Sequence, residues 1–508
     1  MSAETAALSE LKRELAELKD LCRIASLLAW DQEVMMPAGG AGARADQLST
    51  LGRIIHARAT SPELGKLLDE AEPLSAGLDP DSDDARLVEV ARYDFEKEIK
   101  VPADLSAAMV RAASESYPIW VAARKESDFA RFLPQLEKTL ELKRAYIECM
   151  APEGEPYDAL LDDFEQGLTV VEVRRIFDRL KEALIPLVRA AAGSGAVDDT
   201  PLRRQLPVDG LKKMERHVLA RLGFEPGAWR LDTTVHPFET SICVSDVRLT
   251  TRYEVDGLES LFSSMHEFGH GLYERQIAPE LDWGPLARGT SLGWHESQSL
   301  LWENLIGRGL PFWEQFAGDL NGFFPAELGS LSAADIYKMV NKVEPAFIRV
   351  EADETTYNLH VIMRFELEQE LLAGTLPLAE LPQAWNQHVH DYLGIEVPED
   401  RLGVLQDVHW SHGSFGYFPT YSLGHLTAAQ LWQRLGAELP ELPDQIRVGE
   451  FGSLREWLRE NLHRHGRKFP PAELRERIVG GPVDPEPFIA YLRAKLAGIY
   501  GETLIAGT

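Results

Sequence analysis

The chain has 508 residues, of which 81 are Asp or Glu and 52 are Lys or Arg, giving a formal net charge of −29. Nucleic acids and anionic membranes bind clustered positive charge, so this balance excludes them as expected partners. No run of about 18 apolar residues predicts a membrane span.

The three cysteines, Cys22, Cys149 and Cys243, are odd in number, far apart and without metal-ligand spacing. This pattern predicts reduced thiols in a reducing compartment. The N-terminus also lacks the basic start, apolar core and cleavage site of a secretory signal. We therefore expect a cytoplasmic protein.

Helical periodicity dominates the chain, which predicts a mainly α fold. It opens with a leucine stripe and recurs through residues 85–150, 170–192, 208–222 and 331–373. The stripe consists of Leu8, Leu11, Leu15 and Leu18. It has two interpretations, a helix over a cleft or dimer contact, or an ordinary helix packed on the body, and the pattern alone favours the second.

A strand-like stretch spans residues 230–256. Its apolar residues, Val235, Phe238, Ile242, Val244, Val247, Leu249 and Tyr253, alternate with Thr and Ser. This composition predicts a small antiparallel sheet directly before the next helix. Such a sheet can bind a peptide main chain by strand addition.

The run His266-Glu267-Phe268-Gly269-His270 carries the most chemical information. On a helix, His266 and His270 share one face and can bind one zinc ion, while Glu267 can act as the general base of a peptidase. With 14 histidines and 81 acidic residues, roughly 0.06 such matches are expected by chance. The alternative is a helix whose two half-buried histidines merely form hydrogen bonds.

A catalytic zinc site usually has a third protein ligand. Residues 290–307 predict a second helix, with hydroxyl residues at its start and Gly307 at its end. Glu296 on this helix can complete a two-histidine, one-carboxylate site. Spacing alone leaves three alternatives open, namely His295, Glu303 and Glu274.

Six motifs in order resemble those of the Taq-type thermostable carboxypeptidases, metallocarboxypeptidase family 32. They are His236-Pro237-Phe238, Asp246-Val247-Arg248-Leu249-Thr250, His266-Glu267-Phe268-Gly269-His270, His295-Glu296-Ser297-Gln298, Ile348-Arg349-Val350-Glu351-Ala352-Asp353 and Gly403-Val404-Leu405-Gln406-Asp407-Val408-His409-Trp410. Only the third is specific by itself, but the six together span residues 236–410.

The resemblance implies metal ligands at His266, His270 and Glu296, a general base at Glu267, and removal of single residues from peptide C-termini. It implies a two-lobed helical body with a deep central groove, formed by one domain over residues 1–508, and a homodimer. Residues 1–70 approximately would form an N-terminal helical flap. The metal would be Zn²⁺, with Co²⁺ or another divalent ion as an alternative.

A carboxypeptidase must recognise a free carboxylate, and the arginine fork does so bidentately. Arg349 and Arg248 are the candidates, each with an internal ion pair as its alternative role, because acidic residues stand nearby in sequence. His409 and Tyr421 are candidate donors to an oxyanion. His236 is a further donor if the resemblance transfers, and otherwise an ordinary strand histidine.

The sequence therefore predicts a zinc-dependent metallocarboxypeptidase acting on peptides with a free C-terminus. One alternative is a related helical oligopeptidase that cuts internally or removes short pieces. The other is a peptide-binding scaffold without turnover, which the presence of Glu267 disfavours because loss of the base is the simplest way to retire such a site.

Overall fold

The structure, a computed structural model, describes residues 3–253, 257–329 and 331–508. Over these residues the protein is mainly α, as the periodicity predicts. None of the helices described there is both long enough and apolar enough to cross a lipid bilayer. Residues 254–256, the end of the predicted strand-rich stretch, lie outside the described residues.

The described residues form 21 α-helices. In chain order they are α1 (Ala3–Val34), α2 (Ala41–Ala59), α3 (Pro62–Ser75), α4 (Asp83–Lys100), α5 (Ala103–Glu126), α6 (Phe129–Met150), α7 (Asp158–Leu161), α8 (Val170–Gly193), α9 (Val208–Leu222), α10 (Glu259–Arg275), α11 (Leu292–Leu300), α12 (Leu310–Phe323), α13 (Ala333–Val340), α14 (Glu354–Ala373), α15 (Leu381–Leu393), α16 (Pro419–Glu438), α17 (Leu442–Arg447), α18 (Gly452–Asn461), α19 (Pro471–Val479), α20 (Glu486–Tyr500) and α21 (Glu502–Ala506).

The predicted helical stretches coincide with observed helices. Residues 170–192 form α8 and residues 208–222 form α9. The stretch 331–373 contains two helices, α13 and α14, separated by residues without α-helix. Pro345 lies in this gap, and a proline lacks the N–H that an uninterrupted helix needs.

The chain divides into two compact units. The first unit consists of Met1–Ile99, Thr200–Ile336 and Arg434–Gly480, and the second of Lys100–Asp199, Tyr337–Gln433 and Gly481–Thr508. Each unit is thus assembled from three separate chain segments. No single cut of the chain would release either unit.

One hydrophobic cluster of the first unit includes the opening leucine stripe. Leu11 and Leu15 of α1 are buried in the same cluster as Leu64 and Leu68 of α3. Because such burial stabilises the packed helix, the stripe is explained as an ordinary helix on the body of its unit. This burial supports the interpretation that the pattern favoured.

The core of the second unit is built around α8. Thr169 and Glu172 form a capping box that satisfies free N–H groups at the start of this helix. Apolar residues at three- and four-residue intervals then place one face in the core, where Phe177 packs edge-on against Phe365 of α14 with 5.1 Å between ring centroids.

The predicted small sheet is present in the first unit. Its strands are β1 (Trp229–Thr233), β2 (Glu239–Cys243) and β3 (Asp246–Thr251), in the order β1-β3-β2. β2 and β3 are antiparallel, but β1 pairs with β3 in parallel. The sheet is therefore mixed rather than antiparallel, because residue patterning indicates that a strand forms but not the direction of its partner.

Candidate metal centre

The histidine motif lies on α10, which is packed closely on two sides. A Cβ added at Gly269 would lie 2.4 Å from the carbonyl oxygen of Gln298 in α11. One added at Gly271 would lie 2.6 Å from the ring of Trp229 in β1. Because only glycine permits these approaches, α10 is held firmly against both α11 and the sheet.

Three side chains of the first unit place ligand atoms around one point. Nε2 of His266 lies 3.2 Å from Nε2 of His270, and Oε2 of Glu296 lies 3.9 Å from the former and 3.6 Å from the latter. Tetrahedral zinc, with bonds of roughly 2.0–2.2 Å, needs ligand atoms about 3.3–3.5 Å apart. The donor set and its spacing therefore fit a divalent cation.

The outer nitrogen of His266 faces Glu303. Nδ1 of His266 lies 2.9 Å from Oε2 of Glu303. An ionised carboxylate only accepts, so Nδ1 carries the proton and Nε2 presents its lone pair to the metal position. Although burial opposes it, the hydrogen bond from His266 and the charge of Arg308 lower the pKa of Glu303 to about 2.

His270 is oriented through a second histidine. Nε2 of His295 lies 3.0 Å from Oε1 of Glu274, and Nδ1 of His295 lies 2.6 Å from Nδ1 of His270. Glu274 therefore accepts a hydrogen bond from Nε2 of His295, and His295 contacts Nδ1 of His270 rather than the Nε2 that faces the metal position. Hydrogen bonds of this kind fix the tautomer and ring orientation of metal-binding histidines.

The helix that carries Glu296, α11, changes pitch at its C-terminal end. α11 continues as a π-helical segment, Leu301–Gly307, which carries Glu303. Glu296 and Glu303 both contact His266. π-helical turns are rare and often occur at functional sites, and no pattern in the sequence predicted this one. The predicted start at Ser291, whose side chain caps α11, and the predicted end at Gly307 are both observed.

Glu267 differs from the other acidic residues around the histidines. It is buried, yet in the described parts of the chain its carboxylate has neither a hydrogen bond nor an ion pair. Burial raises the pKa of Glu267 to about 7. A carboxylate in this range can both take and return a proton near neutral pH.

The carboxylates give the centre a negative potential. Although burial opposes it, Glu296 and Glu303 raise the pKa of His266 to about 10. Burial instead lowers the pKa of His270. The surroundings of His266 therefore favour a positive charge at this position. Either a proton or a divalent cation can supply that charge.

The second unit contains a buried ionic cluster that includes Arg349. Oδ1 of Asp407 accepts from Nε and Nη2 of Arg349 at 3.2 Å, and Oδ2 accepts from Nε of Arg364 at 2.7 Å. Nη1 of Arg349 donates to the hydroxyl of Tyr357 at 2.7 Å. Arg349 thus has an internal ion pair, with a residue 58 positions away rather than with its sequence neighbours.

His409 and Tyr421 belong to the same cluster. Nε2 of His409 lies 3.3 Å from the hydroxyl oxygen of Tyr421, and the guanidinium of Arg349 lies 4.7 Å from the centroid of the Tyr421 ring. Burial lowers the pKa of His409 to about 3, so its ring is neutral at physiological pH. The structure therefore brings together three of the predicted substrate-binding residues.

Arg248 and His236 lie in the first unit. Arg248 in β3 donates twice to Asp246, at 2.8 Å each, which is the internal pair considered from the sequence. Its guanidinium also lies 4.3 Å from the ring centroid of Trp30 in α1. His236 is exposed in the loop between β1 and β2 and is not a strand residue.

Sequence reasoning missed the groups that pair with the predicted residues. Asp407 stood inside a recognised motif, yet no role was predicted for it, nor for Arg364. The available signal was that Asp407 is the single acidic residue of this motif. Glu303 was considered only as a ligand, whereas its partner is the outer nitrogen of His266.

Comparison with known proteins agrees with this geometry. A sequence model of the family described as carboxypeptidase Taq (M32) metallopeptidase matches residues 10–496. Thermostable carboxypeptidase 1 of Thermus thermophilus is 42% identical over 506 residues, which cover 97% of this chain and 98% of that protein. Carboxypeptidase 1 of Bacillus subtilis is 38% identical over 477 residues, covering 94% and 95%.

Solved structures agree as well. The crystal structure of the M32 carboxypeptidase from Deinococcus radiodurans is 40% identical and matches with a TM-score of 0.94, covering 98% of this chain and 100% of that chain. The resemblance carried by the six motifs is thereby confirmed. The chain belongs to the carboxypeptidase Taq (M32) metallopeptidase family and is a metallocarboxypeptidase, a peptide hydrolase.

Proposed function

We propose that the protein removes single amino acids from peptide C-termini, with His266, His270 and Glu296 as metal ligands and Glu267 as general base. The observation that carries this proposal is the triangle of ligand atoms at 3.2, 3.6 and 3.9 Å. Two imidazoles and a carboxylate suit Zn²⁺, and Co²⁺ is the principal alternative.

A bound divalent ion supplies Lewis acidity, which polarises the peptide carbonyl and activates water for attack. Glu267 takes the proton from the attacking water and returns it to the amine of the departing residue. Glu267 is suited to this step because its carboxylate is not engaged elsewhere. Among the described residues it forms neither a hydrogen bond nor an ion pair. Glu303 and Glu274 instead orient the histidine rings.

Recognition of the substrate carboxylate is proposed for Arg349. Two guanidinium groups, of Arg349 and Arg364, share the single carboxylate of Asp407, which leaves one positive charge uncompensated in that group. A peptide carboxylate supplies the missing negative charge, and the arginine fork recognises it bidentately. Arg248 is a weaker candidate because Asp246 already engages it bidentately.

Three further residues are proposed as donors to substrate. His409 and Tyr421 are proposed for the oxyanion, since each carries a polar hydrogen beside Arg349. His236 is proposed as an accessible donor in the loop before β2.

The organisation of the chain is also proposed from the family. Residues 1–508 would act as one catalytic domain, which the interleaving of the two units supports, with approximately residues 1–70 as a flap. We further propose a cytoplasmic homodimer, acting on peptides with a free C-terminus.

Mass spectrometry of one N-terminally blocked peptide, offered with a free or an amidated C-terminus, tests the activity. We expect stepwise loss of C-terminal residues from the free form only. Internal cuts in both peptides would instead indicate an endopeptidase and would overturn the role of Arg349. Metal analysis of His266→Ala, His270→Ala and Glu296→Ala tests the ligands, since each should lose the metal that wild type retains.

A further inference from the structure

A cavity of about 350 Å³ lies in the first unit, where α10 ends. Four of its lining residues are arginines, Arg275, Arg455, Arg459 and Arg464. The chain as a whole carries 81 acidic residues against 52 basic ones. The lining of this cavity is therefore richer in arginine than the chain as a whole.

Two of the four arginines are already occupied. Arg459 donates to Glu456 at 2.6 and 3.0 Å, and Arg464 donates to Glu460 at 2.5 Å. Glu456 and Glu460 offset the charge of these two arginines. Their donors are partly engaged before any ligand arrives.

The other two arginines have no such partners. In the portion of the chain that the structure describes, the side chains of Arg275 and Arg455 make neither a hydrogen bond nor an ion pair. Nε of Arg455 is buried without an acceptor. A guanidinium has five N–H donors, and buried donors are nearly always satisfied by protein, water or a bound group. The cavity thus offers donors that lack a protein acceptor.

Arg455 is positioned by the shape of the backbone beside it. A Cβ added at Gly223 would lie 1.8 Å from Nη1 of Arg455. Gly223 also has φ of 115°, in the left-handed region that favours glycine, where it ends α9. Glycine at this position therefore leaves the space that the guanidinium occupies.

Two acidic residues also line the cavity. Glu225 and Glu280 are exposed. Within the described residues neither forms an ion pair with the arginines of the cavity. The guanidinium groups of Arg275 and Arg455 are therefore not engaged by the carboxylates that line the cavity.

We propose that this cavity binds an oxyanion of the phosphate class, either inorganic phosphate or the phosphoryl group of a small phosphate monoester. Several oxygens on one phosphorus match the planar donor forks of Arg275 and Arg455. The volume is in the range of small-molecule sites. Trp229 and Leu272 supply apolar wall for the organic part of an ester.

Isothermal titration of the metal-loaded protein in oxyanion-free buffer tests the proposal, with inorganic phosphate, methyl phosphate and succinate as separate ligands. We expect one phosphate or methyl phosphate per chain, bound more weakly as sodium chloride is added. Tighter binding of inorganic phosphate identifies the free ion as the ligand. Tighter binding of methyl phosphate identifies an ester.

Two variants locate the binding. Arg275→Gln and Arg455→Gln should each weaken binding by at least about tenfold, since each removes a charged hydrogen-bond donor. The matched control is Arg447→Gln, which removes the same charge from an exposed arginine paired with Glu314, outside the cavity. Its affinity should equal that of wild type.

Three results would overturn the assignment. These are no binding of either phosphate ligand up to about 10 mM, equal binding by wild type and both cavity variants, or tighter binding of succinate than of both phosphates. Because Arg275 is partly exposed and only Arg455 is seated against Gly223, the first variant serves as the test if the second fails to fold.

Discussion

The metal centre of the first unit and the arginine cluster of the second unit bury charge in opposite ways. In the metal centre, Nε2 of His266 and Nε2 of His270 lie 3.2 Å apart, with the carboxylate of Glu296 beside them. In the arginine cluster, two guanidinium groups share one carboxylate, that of Asp407. The first region lacks positive charge at its centre, and the second has an excess of it.

This difference indicates the sign of the charge on the ligand that each region can bind. A buried charge is stable only when it is paired and hydrogen-bonded. The ligand atoms of the metal centre are suited to bind a cation. The arginine cluster, with its excess positive charge, is suited to bind an anion. The proposed roles agree with these signs, a metal ion at the centre of the first unit and recognition of the substrate carboxylate by Arg349.

Replacing the base of the first region should have the largest effect. We expect Glu267→Gln to lower kcat by about 10²–10⁴-fold, because the amide cannot take the proton from water. Its metal content should equal that of wild type, since Glu267 is not a proposed ligand. Steady-state kinetics with metal analysis checks both, and Glu115→Gln, an exposed acid paired with Lys138, is the control. A kcat within tenfold of wild type would refute the role.

Neutralising the carboxylate of Asp407, which Arg349 and Arg364 share, should have the next largest effect, on the free energy of unfolding. Asp407→Asn leaves Arg349 and Arg364 buried without a counter-charge, which should lower the free energy of unfolding by about 3–5 kcal/mol. Denaturant unfolding measures this. The control is Asp444→Asn, an exposed partner of Arg447, for which we expect less than about 1 kcal/mol. Equal effects of the two variants would show that the buried cluster contributes no special stability.

The same carboxylate predicts a pH dependence. Although burial opposes it, Arg364 and Arg349 hold the pKa of Asp407 below its usual value of 3.8. A carboxylate with a lowered pKa stabilises the folded state above its unfolded pKa, and this contribution is lost as the pH falls toward the folded pKa. Below about pH 4, unfolding free energy should therefore fall more steeply for wild type than for Asp407→Asn. Parallel pH profiles would contradict this prediction.

Neutralising the acid behind His266 should weaken the first region moderately. Glu303→Gln keeps an oxygen that can accept from Nδ1 of His266 but removes the charge, so we expect metal affinity to fall by about 10–100-fold. Competition with a chelator of known affinity measures the change. The same substitution at Glu314, an exposed partner of Arg447, should leave the affinity unaltered. Retained affinity in Glu303→Gln would mean that Glu303 does not support the ligand.

Local spacing predicted the part of this site that depends on one helix. His266, Glu267 and His270 follow from the pitch of α10 alone. Glu296 was one of four candidates, because sequence separation does not determine how two helices meet. The family resemblance, and then the coordinates, distinguished it from Glu303.

Long-range pairing and backbone direction were beyond the sequence. The carboxylate of Asp407 is 58 positions from Arg349 and 43 from Arg364, and no local pattern specifies either contact. The parallel direction of β1 and the π-helical segment after α11 likewise depend on tertiary packing, which overrides local preference. Periodicity, by contrast, predicted the helices within residues 85–150, 170–192, 208–222 and 331–373, because it reports which face of each helix is buried.

The smallest expected effect concerns the backbone contact that sets the metal centre apart from the arginine cluster. Arginine side chains are long and can adjust, whereas the ligands of the first region depend on how closely α10 approaches α11. Gly269→Ala would place a methyl group 2.4 Å from the carbonyl oxygen of Gln298, so the helices must separate, at a cost of about 1–3 kcal/mol in unfolding free energy.

The matched control is Gly318→Ala in α12, where no atom lies within 4 Å of the added methyl group. It should be stabilised by up to about 1 kcal/mol, since alanine favours helix more than glycine does. Because α10 carries His266 and His270 while α11 carries Glu296, the separation should weaken metal binding in Gly269→Ala as well as stability. Thermal unfolding with and without chelator distinguishes the two effects. A chelator-induced shift as large as that of wild type would mean that the ligand triangle tolerates the separation, and that the metal centre is as adaptable as the arginine cluster.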